Sequence, residues 1–474
     1  MSLLTKRIIL LTSLFILTGF LTFYVYSNDN GDGFSKYIVA RDQSDDYDAL
    51  FDDLNFKSFT IEFDEEVFNT MITNMQDHFA EYGDYIDNTT YPVNITYKDS
   101  TSEFEVLEVG FRTKSTTSRN LIRTYDWRDR PVYHQTTFQL QFNETFSYVK
   151  NTNVYEVLNS REIFNLDQLN FEYSQIYSGE YDETMISEAY THHLYQQADV
   201  LVANASYCIV YLVIGEEIVN YGLFSVIEPI DTDFVKNNFD SDLARNYGDL
   251  YKVTDVQTEG DLRLDYESYI GISDDDTRYT YSLRNNSLDG LRRTHNSFEQ
   301  FILNINDFNY FKDNYEDLID IDMFIRYLAI SFLVGNSDDI RYNYNNYYLY
   351  FDVYTDKVTL IPFDLDNTLG FGKSLDITGF MVDYSIYYNL NNPSPLIDYV
   401  FRIDELRTLY AQYILQFIDE FFNYYSFQSH YSEIKNLYEY TLISENHLGN
   451  KIFGLRNIEW YFDTKVNTIL NEIT

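Results

Sequence analysis

The chain has 474 residues, with 75 acids against 33 Lys+Arg and a formal charge of −42. That balance argues against a nucleic-acid binder, which needs a basic face. It reads as a solvated surface, or as one that meets a cationic partner. The 47 Tyr and 37 Phe exclude a disordered acidic tail, because disorder goes with few aromatics. The length can bury a large core and suggests roughly two to three domains or lobes. The single cysteine, Cys208, rules out an intrachain disulfide.

Lys6 and Arg7 precede an apolar, uncharged run over residues 8–26. Its 19 residues approach the ~20 needed to cross a bilayer as a helix. Basic residues on the N-terminal side keep that end cytoplasmic and place the rest outside. The exit reads YVYSND, without the small-residue pattern of a cleavage site, so an uncleaved signal anchor is favoured over a cleaved signal peptide. The expected localisation is extracytoplasmic, membrane-anchored or secreted. Residues 1–30 form this anchor or signal and its linker.

Residues 31–229 read as a strand-rich lobe. FKSFTIEF, VNITYKD, FEVLEVGFRTK, FQLQF and CIVYLVIG alternate apolar and polar residues or are β-branched runs. EEVFNTMITNMQDHFAEY and ETMISEAYTHHLYQQA intervene as helices, and the His192-His193 pair in the second reads as surface helix. Residues 230–474 read as a helical lobe with apolar residues at three-to-four spacing. One strand-turn-strand interrupts it, NYYLYFDVYTDKVTLIPFD. The fold class expected is α+β.

The chemistry-bearing residues gather around that hairpin. The helix DMFIRYLAISFLV is expected to end near Gly335. Asn336, Asp338 and Asp339 follow at once, although carboxylates are disfavoured at the negative end of a helix. A turn explains them, and so does a metal, a cationic ligand or a proton-accepting role. The strand TLIPF then delivers Asp364 and Asp366 at i and i+2, before Gly370. Three or four carboxylates converging there would suit hard Mg²⁺, which takes one or two of them and completes its shell with water and phosphate.

DLDNTLG also resembles the signature of haloacid-dehalogenase-type phosphotransferases. That signature opens a large α/β domain, whereas about 100 mostly helical residues follow here. A second resemblance covers nearly the whole chain from about residue 53. FKSFTIEFDEEVFNTM, VGFRTKSTTSRN, FNLDQLNFEY, YGLFSVIEPIDTDFVKNNF, GDLYK, GNSDD and NYYLYFD…IPFDLDNTLG follow in order the segments of the CotH family. These are spore-coat-type secreted proteins with a two-lobed, atypical protein-kinase fold. The resemblance implies ATP-dependent phosphorylation of Ser/Thr on extracytoplasmic proteins, using Mg²⁺ or Mn²⁺. It implies Asp338 as the catalytic, acceptor-orienting acid, and Asn346, Asp364 and Asp366 as metal ligands, with Asn343 competing with Asn346 and Asp339 a spare ligand or a loop acid. Lys114 with the hydroxyls of Ser115 and Ser118 corresponds to the phosphate-covering loop, and Glu228 to the lobe junction near the nucleotide. Lys252 is either structural or a nucleotide contact.

Three departures stand out. Ser115 replaces the family's loop glycine, Gln135, Thr136 and Thr137 stand where the family has a Lys-rich stretch, and Phe363 replaces a Trp. They keep a second reading in view, a catalytically silent surface scaffold or adhesion protein built on the same fold.

Overall fold

The computed structural model describes residues 44–473 apart from 116–118, 151, 174–181, 240–247, 274–277, 285–294, 372–381, 389, 391–392, 445–452 and 456. The apolar run over residues 8–26 and Ser118 lie outside the described residues. Among the described residues no helix is long and apolar enough to cross a membrane.

The fold is mixed α+β, as expected. Helix α1 (Ser44–Phe51) leads into β1 (Ser58–Phe63), then α2 (Glu65–Tyr82). The bounds of α2 follow from its ends. The Asp64 carboxylate accepts from the backbone N–H of Glu66 and Val67, and Gly83 closes the helix at φ 87°. Strands β2 (Tyr91–Lys98), β3 (Glu103–Thr113), β4 (Arg123–Tyr125), β5 (Pro131–Tyr133) and β6 (Phe138–Gln141) follow. Helix α3 (Asn153–Asn159), β7 (Gln168–Glu172), α4 (Ser187–Gln197), β8 (Ala205–Ile214) and β9 (Glu217–Ile227) complete this part.

Seven of these strands close into a barrel in the order β1-β2-β3-β6-β7-β9-β8, and β4-β5 stand apart as a hairpin. The closure is the parallel pairing of β1 with β8, Ser58 opposite Ile209 through Phe63 opposite Ile214. Closure removes the exposed edges that a strand-rich, aromatic chain would otherwise present to neighbours. Inward-facing rings fill the barrel. Phe138 stacks on Phe171 with centroids 4.6 Å apart, and Phe59 meets Phe171 edge-on at 5.0 Å. Cys208 is buried in this core.

After β9 come α5 (Thr232–Asn238), β10 (Asp249–Val253), β11 (Ile270–Ile272), β12 (Tyr281–Leu283) and the helices α6 (Asn296–Ile305), α7 (Phe308–Leu318) and α8 (Ile321–Val334). The expected hairpin is β13 (Tyr347–Phe351) and β14 (Val358–Pro362), and α9 (Pro395–Arg402), α10 (Asp404–Glu420), α11 (Tyr424–Ser444) and α12 (Ile458–Ile473) end the chain. The hairpin is not the isolated interruption expected. It belongs to a five-stranded sheet in the order β11-β12-β10-β13-β14. Two of the strands missed are only three residues long, too short for a periodic signal. Helix α8 is buried on almost every side and forms the centre of the larger core.

Candidate functional site

The site is built on the exit of α8 and the exit of β14. Gly335 ends α8 in the left-handed conformation at φ 65°, and Asn336 N donates back to Ser331 O. The loop that follows is pinned by Asp339. Its buried carboxylate accepts from Ser331 Oγ, from Tyr327 OH at 3.3 Å, and from the backbone N–H of Arg341 and Tyr342 at 2.9 and 3.2 Å. Those donors compensate a carboxylate at a helix C-terminus, and they make Asp339 a loop-forming acid rather than a spare ligand. Arg341 is itself buried and donates to Tyr410 OH and to the carbonyls of Ile386 and Tyr388. With both neighbours committed, the loop presents Asp338, whose carboxylate accepts from Asn343 Nδ2 and, at 3.5 Å, from Asn345 Nδ2.

The second arm is the turn after β14. Phe363 N donates to Asn346 O, which sets Asn346 beside the residue preceding Asp364. Leu369 N donates to Val334 O at 2.7 Å, and the Thr368 hydroxyl meets that of Thr191 on α4 at 2.7 Å. Asn346 and Asp364 both have φ 56°, an uncommon setting for residues with a side chain that recurs at functional sites. Asp364 and Asp366 are half-buried, and their carboxyls hydrogen-bond each other. Asn367 also donates to Asp366.

The acids act on one another. Burial and then the Asp338 charge push the Asp364 carboxyl upward, while Lys252, Asp366 and Lys114 oppose the rise. Asp366 is driven well up by burial, then by Asp364, Asp338 and Glu172. Two further acids join the cluster, and the sequence reading missed both. Glu172, at the end of β7, is raised to about 7 by burial, with Lys114, Thr137, Asp364 and Lys252 around it. Glu188, in the first turn of α4, is pushed well up by burial and by Glu172, Asp366 and Asp364. Both stretches, FNLDQLNFEY and ETMISEAY, stand out in the sequence. The available signals were the polar Asn170 and Glu172 on one face of β7 and an acid inside an otherwise buried helix.

Two lysines face these carboxylates. Lys114 Nζ donates to Asn170 Oδ1 at 2.8 Å, and Lys114 N donates to Thr137 O. Lys252, on β10 opposite Tyr348, holds its ammonium 4.2 Å from the centre of the Phe363 ring. Asp338, Asp364, Asp366, Lys114 and Lys252 therefore meet in one place, with Asn346 on the same rim. Ser115 takes φ 75°, the conformation a glycine would hold at no cost, and Arg119 Nε fastens it through its carbonyl at 2.8 Å. Gln135 donates to the carbonyl of Tyr221, so it serves the barrel.

Glu228 sits apart from this cluster in its contacts. It follows β9, is buried, and is bracketed by Tyr47 OH at 2.9 Å on one oxygen and Asn204 N and Nδ2 at 3.2 and 3.0 Å on the other. His192 is not a surface residue as expected. It is buried, with Nδ1 2.9 Å from Ala203 O.

The donor set, carboxylates with nearby amides, suits a hard divalent cation such as Mg²⁺ or Mn²⁺. Among the described residues, no three of these clustered acids each place a carboxylate oxygen within 4.8 Å of the other two, whereas Glu162, Asp167 and Asp233 do. A hard cation at this cluster would therefore be held by one or two carboxylates and completed by phosphate and water, the usual Mg²⁺ arrangement.

An acidic cluster beside two lysines thus draws on the end of barrel strand β3, on β10 of the five-stranded sheet and on the exits of α8 and β14. A family model described as CotH kinase protein matches residues 133–473, and the chain belongs to this family. The matched stretch holds Asp338, Asp364, Asp366, Glu172, Glu188 and Lys252, whereas Lys114 and Ser115 precede it. A search of curated proteins gave no match.

Proposed function

We propose that this chain is a protein-kinase-like enzyme of two lobes that transfers the γ-phosphate of ATP to Ser or Thr hydroxyls of extracytoplasmic proteins, with residues 8–26 as its membrane anchor. The observation that carries the reading is the meeting of Asp338, from the α8 exit, with Asp364 and Asp366, from the β14 exit, beside Lys114 and Lys252. Phosphoryl transfer asks a protein for little covalent chemistry and much positioning and charge neutralisation.

In this reading Asp338 orients the acceptor hydroxyl and takes its proton, and Asn343 and Asn345 keep its carboxylate aimed. Asp364 and Asp366 hold the cation, with Asn346 completing the set. A bound Mg²⁺ or Mn²⁺ supplies charge neutralisation at the phosphates. Lys114 and Lys252 hold phosphate oxygens, and Glu172 and Glu188 position those lysines and the acidic turn. Glu228, kept in place by Tyr47 and Asn204, borders the nucleotide.

The test is metal-dependent transfer of ³²P from ATP to a mixture of Ser- and Thr-containing proteins by the purified full-length chain. Incorporation that disappears in Asp338→Ala and in Asp364→Ala, with unchanged circular dichroism, supports the reading. Incorporation that survives both substitutions overturns it.

A further inference from the structure

The acidic turn after β14 is held from two sides. On one side is the bond from Leu369 N to Val334 O, at the end of α8. On the other is α4, through a pair of side chains. Thr191 of α4 and Thr368 of the turn, 177 residues apart in sequence, bring their hydroxyls to 2.7 Å, and both residues are fully buried. Thr191 lies one turn after Glu188 on the same face of α4. One turn further on, Tyr195 packs against Tyr327 of α8 with ring centroids 5.9 Å apart. The start of α4 is fixed as well. The buried Asp182 carboxylate accepts from the Ser187 N–H at 3.2 Å and from the Ser187 hydroxyl at 2.5 Å.

A hydroxyl has one hydrogen and two lone pairs. Thr191 Oγ1 is 2.7 Å from Ser187 O, Thr368 Oγ1 is 2.9 Å from Leu365 O, and the two hydroxyl oxygens are 2.7 Å from each other. Three contacts thus share two hydrogens. The spacing between the hydroxyls is the usual O–H···O length, so one of them donates to the other. Either Thr191 donates to Thr368, which donates to Leu365 O, or Thr368 donates to Thr191, which donates to Ser187 O. Both arrangements cross from α4 to the turn, and the first also grips the carbonyl of Leu365, the residue between Asp364 and Asp366. Packing alone does not call for this pair, because valine has nearly the same shape and no hydroxyl to desolvate.

We infer that Thr191 and Thr368 are positioning residues of the acidic cluster, and that their hydroxyl bond sets the turn carrying Asp364 and Asp366 against Glu188 on α4. The inference rests on the metal-holding role proposed for Asp364 and Asp366, and it gives that turn a second support besides α8. Both hydroxyls are spent within the protein, so they act through the backbone of the turn.

Mn²⁺ binding to the full-length chain with ATP, read by electron paramagnetic resonance, tests this beside the melting temperatures of the same proteins. Thr368→Val keeps the shape and removes the hydroxyl. It is expected to weaken Mn²⁺ about tenfold or more, the scale on which lost supporting groups weaken metal sites. Thr368→Ser restores the hydroxyl and is expected to bind like the wild type. Thr191→Val breaks the same bond from α4, outside the turn, and carries the test if Thr368→Val fails to fold. The double Val variant is expected to lose no more affinity than the weaker of the two single variants, because the hydroxyls make one link. The inference is overturned, with the metal-holding role left standing, if the Val variants lower the melting temperature yet bind Mn²⁺ as the wild type does. It is also overturned if Thr368→Ser is as weak as Thr368→Val, or if the two single losses add in full. A wild-type chain that binds no Mn²⁺ with ATP overturns the metal-holding role itself, and this inference with it.

Discussion

Leu369 N donates to Val334 O across 2.7 Å, and that bond hangs the turn carrying Asp364 and Asp366 on the last residue of α8. Asp338 lies four residues beyond Val334, on the loop that α8 releases. Two acidic stretches about 25 residues apart in sequence thus share one anchor, and the register of β13 against β14 keeps it taut.

Neighbouring acids in the α8 loop are expected to fail in different ways. Asp338→Ala should lower kcat by about 10²–10⁴-fold, the usual worth of a positioned acid–base group, without lowering the melting temperature. Asp339→Ala removes the acceptor of four donors and should cost roughly 3 kcal/mol or more of stability. Turnover and urea denaturation on both variants separate the roles. Equal effects of the two substitutions would contradict the division.

Glu172 gives a pH dependence. Its pKa is about 7 in the folded chain against an ordinary 4.5. Between those values the folded chain holds a proton that the unfolded chain has lost. The stability Glu172 contributes is therefore complete below 4.5 and is lost as pH rises through 7. His192 and His430, both lowered to about 4 by burial, act in the opposite sense, so the signal lies in a difference. The melting temperature of the metal-free wild type minus that of Glu172→Gln should fall as pH climbs through this window. A difference independent of pH would contradict the assignment.

Ser115 at φ 75° pays for a conformation that glycine adopts freely. Ser115→Gly should stabilise the chain by about 1 kcal/mol, offset in part by glycine's freedom when unfolded, and should not reduce ATP turnover. Chemical denaturation measures the first effect, and a clear loss of stability would show that the Ser115 hydroxyl does more than tolerate the turn.

Tyr47→Phe removes one of the donors on Glu228. A hydrogen bond to a charged group is worth about 1.5–3 kcal/mol, so the melting temperature should drop. The proposed reading puts Glu228 beside the nucleotide, and on it the KM for ATP should rise while kcat holds. A stability loss with an unchanged KM would make Glu228 purely structural.

The ends of the fold's strongest elements were legible in the sequence. The segment EEVFNTMITNMQDHFAEY is α2 from end to end, and Gly335 stops α8 as expected, because helix periodicity and capping are local chemistry. The position of the acidic turn was legible too, because a buried strand followed by Asp364, Asp366 and Gly370 marks a strand end by local chemistry alone. Glu172 and Glu188 were not, since only barrel closure and the packing of α4 bring them to a turn nearly 200 residues further on. The three short strands β10, β11 and β12 escaped because long-range pairing, not propensity, forms them. GDLYK drew notice as a motif, yet its strand is defined by Leu250 and Tyr251 pairing with Tyr350 and Leu349.

The most direct test is the melting temperature of the full-length chain with ATP and Mg²⁺ or Mn²⁺, beside Asp364→Ala. The account predicts stabilisation that needs nucleotide and metal together, about 2.7 kcal/mol at a hundredfold excess over Kd, and none in the variant. No stabilisation of the wild type with either metal, or an equal one in Asp364→Ala, would contradict it.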